Sequence, residues 1–138
     1  MAIDQIIRAE SVGKAYQMGS GRVDAVQEFT LTVPRGEFVA LMGPSGCGKT
    51  TLLNLFGCID VPNSGTLHVF GEDVSAMSEG RRAGLRLRRI GFVFQRFYLL
   101  PMLTALENVE LPMIEAGLSR RERSERSRSL LERVGLSH

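Results

Sequence analysis

The first third of the chain carries the two-residue alternation of strands. Ile6 to Tyr16 reads as one strand region, closed by the polar turn Gly19-Ser20-Gly21. Ala25 to Val33 alternates loosely through Val26, Phe29, Leu31 and Val33, as a half-exposed strand does. Pro34-Arg35-Gly36 is a turn signal, since proline presets φ and glycine tolerates positive φ. Phe38-Val39-Ala40-Leu41-Met42 is apolar without alternation, which predicts a strand buried on both faces. A glycine-rich loop, Gly43 to Gly48, precedes a predicted helix over Lys49 to Phe56 that stops near Gly57. After the turn Pro62-Asn63-Ser64-Gly65, strands are predicted at Thr66 to Phe70 and, beyond an arginine-rich stretch, at Ile90 to Phe94. The last third reads as helical. Thr104-Ala105-Leu106-Glu107 and Ser119-Arg120-Arg121-Glu122 both have the capping-box pattern of a helix start. The second of these helices should run to about Val134, with Gly135 as its stop and Leu130, Leu131 and Val134 as a narrow apolar patch.

At 138 residues the chain has the size of one domain, and its 43% hydrophobic content can build a core. The charge is nearly balanced at +2, which argues against direct nucleic-acid binding. Only Lys14 and Lys49 are lysines, so the basic side is almost all arginine. Two arginine runs stand out, Arg81 to Arg89 and Arg120 to Arg128. Interleaved Glu79, Glu122, Glu125 and Glu132 favour solvated helix faces over a headgroup or nucleic-acid surface, and Glu122 is spaced to pair with Arg126. Met1 to Glu10 has no signal-peptide core, and no apolar run has the length of a membrane span. Cys47 and Cys58 lie 11 positions apart, roughly 16 Å along a helix. That is too far for a disulfide, so the expectation is a cytoplasmic chain with free thiols.

Gly43-Pro44-Ser45-Gly46-Cys47-Gly48-Lys49-Thr50 satisfies G-x-x-x-x-G-K-[ST] at every fixed position. The glycines let successive amides turn inward into a nest for anionic oxygens. The following helix adds the partial positive charge of its N-terminus at the same place. Lys49 then reaches β- and γ-phosphates, the Thr50 hydroxyl suits Mg²⁺, and Ser45 and Thr51 are placed for further phosphate hydrogen bonds. Cys47 reads as a small filler of this loop. The pattern, between an apolar run and a helix, predicts a nucleoside triphosphate site.

The four aspartates, Asp4, Asp24, Asp60 and Asp73, provide neither a D-x-x-G switch nor an N-K-x-D base reader, which disfavours a GTPase. The stretches Gly36 to Asn54 and Ser64-Gly65-Thr66, followed by Gly91-Phe92-Val93-Phe94-Gln95, resemble the ATP-binding subunits of ABC transporters. Leu99-Leu100-Pro101, Thr104 to Val109 and Leu111-Pro112-Met113 resemble the branch that contains the LolD, MacB and FtsE proteins. The resemblance implies an α/β P-loop NTPase core with N-terminal antiparallel strands over residues 1–96, and the start of a helical subdomain over 97–138. It further implies that Tyr16 stacks on adenine and that Gln95 approaches Mg²⁺ and the attacking water. Lys49 and Gln95 are then the catalytic candidates, and Thr50 and Gln95 the metal candidates. The implied cofactors are ATP and Mg²⁺; the implied partners are a second ATP-binding domain in a homodimer and a membrane-spanning permease. That places the protein on the inner face of the cell membrane.

The sequence departs from the family's pattern after the last predicted helix. An L-S-G-G-Q signature, a Walker B aspartate with its adjacent glutamate base, and a switch histidine are absent. Asp60 follows the phosphate-loop helix too closely to serve as Walker B, and neither His68 nor His138 has the switch context. The expectation is a truncated portion of one ATP-binding domain, with apolar strand edges left unpaired. Three readings stay open: an energy-coupling subunit, a fragment that holds nucleotide without turnover, and another P-loop enzyme such as a small-molecule kinase.

Overall fold

The computed structural model describes residues 4–136, and the chain divides after Arg86 into two compact units. The first unit is built on a four-stranded antiparallel sheet in the order β2-β1-β3-β4. Strand β1 (Gln5–Met18) lies between β2 (Gly21–Pro34) and β3 (Ser64–Val69), and β4 (Glu72–Asp73) closes the edge. The strands outrun their predicted bounds because the two-residue turn at Gly19-Ser20 lets Met18 pair with Gly21 directly. Phe70-Gly71 joins β3 to β4 with both residues at positive φ, as a twisted two-residue hairpin turn requires.

Helix α1 (Lys49–Phe56) buries Leu52 and Leu55. Leu55, Cys58, Leu67, Val12, Val69 and Val74 are fully buried and form the core of this unit. The Phe29 and Phe56 rings approach to 6.2 Å, joining β2 to α1. A short turn of 3₁₀ helix at Val74–Ala76 leads to α2 (Glu79–Arg89), where the first arginine run resides. Its charges are largely matched within the protein. Arg81 pairs with Glu72, Arg82 and Arg86 both pair with Glu79, and Arg86 also donates to the Cys58 carbonyl at 2.6 Å.

Two predicted strands do not form. Phe38–Met42 and Ile90–Phe94 are irregular, with Phe38 92%, Met42 89% and Val93 fully exposed. A strand is held by the hydrogen bonds of its neighbours, and no described segment pairs with either run. The apolar side chains of these runs stand in open chain, not on the unpaired strand edges that the sequence leads one to expect.

In the second unit, α3 (Ala105–Glu115) and α4 (Arg120–Arg133) start at the predicted capping boxes, Thr104 with Glu107 and Ser119 with Glu122. Glu122 is committed to Ser119 and does not pair with Arg126; the pair on that helix is Arg121 with Glu125 at 2.9 Å. Of the apolar patch Leu130, Leu131 and Val134 on α4, Leu131 is half-buried and the other two are exposed; the buried residue of this helix is Ser127. Its hydroxyl donates to the Arg123 carbonyl at 2.7 Å and to Glu110 of α3 at 3.4 Å. Arg123, one turn earlier on the same face, lies 3.7 Å from the Glu110 carboxylate and donates to the Leu118 carbonyl. Polar contacts thus orient the face that the apolar count alone assigns elsewhere. Among the described residues, no helix is long and apolar enough to cross a membrane.

Candidate nucleotide site

The loop from Gly43 to Gly48 owes its shape to three glycines at positive φ: Gly43 at 151°, Gly46 at 82° and Gly48 at 91°. Gly48 is the decisive one. It caps α1 in the left-handed conformation, and a Cβ there would stand 2.3 Å from the Ala25 carbonyl oxygen. Ala25 is the residue that the β1–β2 register skips, since Lys14 pairs with Val26 and Ala15 with Asp24. The bulge in β2 therefore turns a carbonyl onto the loop, and only a glycine lets the loop come that close.

α1 differs from the other helices in what stands at its start. α2, α3 and α4 each carry a glutamate in the first turn, whereas α1 has none and no side-chain cap. Among the described residues, the amides of Gly46, Gly48, Lys49 and Thr50 bond to no protein acceptor. The positive end of this helix is consequently left for an external anion. Lys49 Nζ donates to the carbonyls of Gly43 at 2.9 Å and Pro44 at 2.6 Å, and lies 3.5 Å from Cys47 Sγ. These are neutral partners at the loop's mouth, and a phosphate oxygen is a stronger acceptor for an ammonium than either carbonyl. Pro44, Ser45, Gly46, Cys47 and Thr50 are exposed along the same loop.

The Thr50 hydroxyl, exposed at the first turn of α1, is the residue of this loop that could supply an oxygen to a Mg²⁺ ion held mainly by substrate phosphates and water.

Tyr16 lies on β1, half-buried, and its hydroxyl donates to Asp60 Oδ2 at 2.9 Å. Burial and the Asp60 carboxylate push the Tyr16 phenol above its ordinary range. Asp60 is bonded through its amide to the Asn54 carbonyl of α1, so the aromatic is tied to the helix that follows the phosphate loop. Gln95 belongs to the second unit, where it is exposed after the stacked pair Phe92 and Phe94, whose rings are 5.5 Å apart. His138 lies outside the described residues.

Two residues that sequence reasoning did not single out for the site contact Tyr16. Asp60, considered only as a Walker B candidate, accepts from both Tyr16 and Lys14, and Lys14 Nζ stands 2.5 Å from Asp60 Oδ1. Lys14 is buried on β1 and also donates to the Val61 carbonyl at 2.8 Å. The available signal was the spacing Lys14-Ala15-Tyr16, which sets a cation and an aromatic on one face of a strand.

Residues 26–138 match the family profile described as ABC transporter. The uncharacterized ABC transporter ATP-binding protein YknY of Bacillus subtilis is 48% identical over 132 residues, covering 96% of this chain and 57% of that protein. The macrolide export ATP-binding/permease protein MacB 1 of Yersinia pestis is 44% identical over 131 residues, covering 95% of this chain and 20% of that protein. Among solved structures, the dimeric ATP-binding cassette MJ0796, in a post-hydrolysis state bound to ADP and Pi, superposes with a TM-score of 0.82 at 40% identity. That match covers 91% of this chain and 56% of the cassette, so the chain spans little more than half the length of such relatives.

Proposed function

Because the chain belongs to the ABC transporter family, with the ABC ATPase fold, we propose that it binds Mg-ATP as the nucleotide-holding portion of an energy-coupling subunit. The observation that carries this reading is the acid-free, glycine-capped start of α1 with Lys49 at its mouth. In it the amides from Gly43 to Gly48 cradle the phosphates, and Lys49 exchanges its two loop carbonyls for β- and γ-oxygens. Ser45, Thr50 and Thr51 present hydroxyls to the phosphates and metal. Mg²⁺, when bound through Thr50, neutralises charge on the terminal phosphates. Tyr16 offers its ring to the adenine, where aromatic stacking is worth about 1–3 kcal/mol per base. Gln95, carried by the second unit, is proposed with Lys49 as catalytic and with Thr50 as a metal-binding residue.

Turnover belongs to the complete cassette. The 138 residues contain no L-S-G-G-Q segment and no glutamate adjoining a Walker B aspartate, so the general base for the attacking water is not among them. We infer that the cassette hydrolyses ATP as a dimer at the inner face of a membrane and drives a separate permease. The relatives named for ATP binding and the dimeric cassette MJ0796 support that reading. MacB, in which the name joins ATP-binding and permease functions in one protein, supports the link to a permease.

The test is filter retention of γ-labelled Mg-ATP on this chain, with analysis of the retained nucleotide. Saturable retention of intact ATP, abolished in Lys49→Ala, is the expected result. Retention unaffected by Lys49→Ala overturns the assignment of the site. Steady release of inorganic phosphate overturns the separation of binding from turnover, and label passing to an added alcohol or nucleoside acceptor favours a kinase instead.

A further inference from the structure

The Lys14–Asp60–Tyr16 group has more order than a tyrosine near a strand end needs. Asp60 follows the end of α1, where its backbone amide bonds the Asn54 carbonyl at 3.2 Å. Its carboxylate takes three donors: Lys14 Nζ at 2.5 Å, the Val61 amide at 2.7 Å and the Tyr16 hydroxyl at 2.9 Å. Asn63 also pins the segment to β1, through its backbone amide and its side-chain oxygen. The Asn63 amide donates to the Gly13 carbonyl at 2.8 Å, and the Ala15 amide donates to Asn63 Oδ1 at 2.8 Å. Lys14 Nζ, besides holding Asp60, lies over the Tyr16 ring at 5.1 Å from its centroid.

Three consequences follow from this geometry. The phenol cannot rotate or tilt without breaking its bond to a carboxylate that is itself held by a buried ammonium. One face of the ring is covered by that ammonium, within the range of a cation–π contact, so a flat group that stacks on the ring meets its other face. Asp60 is itself bonded through its amide to the Asn54 carbonyl of α1, so the ring is referenced to the helix that follows the phosphate loop. An aromatic held in advance loses less freedom when a ligand stacks on it than one that must be ordered by the ligand.

We propose that Asp60, clamped by Lys14, is a positioning residue for base recognition: it fixes the Tyr16 hydroxyl so that the ring presents its open face to the nucleotide base at a set distance from the phosphate loop. The proposal rests on the reading that Tyr16 stacks on the base of a bound nucleotide. Asp60 touches no part of the nucleotide in it, and its whole effect passes through Tyr16.

The experiment measures dissociation constants for ATP and for inorganic tripolyphosphate, both with Mg²⁺, on the chain and on Tyr16→Ala, Tyr16→Phe, Asp60→Ala and the double variant Tyr16→Phe/Asp60→Ala. Tripolyphosphate engages the phosphate loop without a base. Tyr16→Phe keeps the ring and removes only the hydroxyl, so it should weaken ATP roughly three- to tenfold, the worth of about one hydrogen bond. Tripolyphosphate affinity should not change. Asp60→Ala should weaken ATP to a similar degree, and the double variant should be no worse than the weaker single, since both remove one interaction. If Tyr16→Ala weakens ATP while Tyr16→Phe binds it like the parent chain, the ring stacks without being positioned and the proposal fails while the base reading stands. If Tyr16→Ala also binds ATP like the parent, the base reading fails and takes the proposal with it. If Asp60→Ala loses tripolyphosphate as well, that variant reports lost structure, and Tyr16→Phe decides.

Discussion

Replacing Gly48 with alanine tests how the phosphate loop is held against the sheet. At φ 91° the new side chain sits in the left-handed region, which costs about 1–2 kcal/mol. Its Cβ also meets the Ala25 carbonyl oxygen at 2.3 Å and Val26 Cγ2 at 3.4 Å. A backbone atom in a paired strand cannot swing aside, so overlap of this kind adds about 1–3 kcal/mol. The expected loss is about 2–5 kcal/mol, a large share of the 5–15 kcal/mol typical of a folded domain. Gly46 is the control. It has nearly the same φ, 82°, but open space where its Cβ would stand, so Gly46→Ala should show the conformational cost of about 1–2 kcal/mol alone. Urea unfolding of both variants, followed by circular dichroism, gives the comparison. A Gly48→Ala loss equal to that of Gly46→Ala would refute the claim that the β2 bulge at Ala25 sets the position of the loop.

Other expectations follow from the same contacts. Burial opposes ionisation of Asp60, but Lys14, the Val61 amide and the Tyr16 hydroxyl outweigh it and hold the carboxyl below its ordinary range. A carboxyl lowered in the folded state contributes stability above its unfolded value of about 4, and that contribution is lost as pH falls through the folded value. Melting midpoints of the chain should therefore fall more steeply below about pH 4 than those of Asp60→Asn, and parallel curves would contradict the clamp. In the second unit, Asn108 accepts from the Leu100 amide at 2.9 Å and donates to the Leu100, Leu103 and Thr104 carbonyls. Asn108→Ala should cost about 1–2 kcal/mol and speed exchange of the Leu100 amide hydrogen, and unchanged exchange would show that the loop is held by something else. Ser119→Ala, which removes the cap of α4, should lower helicity and stability by about 1 kcal/mol, measurable by circular dichroism against the parent chain.

Local chemistry was legible in the sequence wherever neighbours along the chain decide the outcome. The two capping boxes, the helix at Lys49–Phe56 and the glycine loop depend on residues within four positions of one another, and they form where expected. Phe38–Met42 and Ile90–Phe94 show the opposite case. Their apolar character marks them for burial, but a strand needs a partner, and the two runs stay open among the described residues. Membership of the ABC transporter family was legible from the loop and the glutamine motif because those residues stand at fixed spacing. Asp60 was not legible as part of the site. It is 44 residues from Tyr16 and 46 from Lys14, and only the antiparallel fold of β1 beside the end of α1 brings them within bonding distance. The carbonyl of Ala25 was hidden for a different reason: a bulge is a fault in register, and loose alternation at Ala25 to Val33 does not locate it.

The most direct test of the ATP-binding claim is thermal unfolding of this chain with and without Mg-ATP, beside Lys49→Ala. A ligand that binds only the folded state stabilises it by about 2.7 kcal/mol at 100 times its dissociation constant. The account predicts a cooperative melt that shifts upward with Mg-ATP in the parent chain and stays fixed in Lys49→Ala. A shift of equal size in both proteins, or a cooperative melt that Mg-ATP leaves in place in the parent, would contradict it.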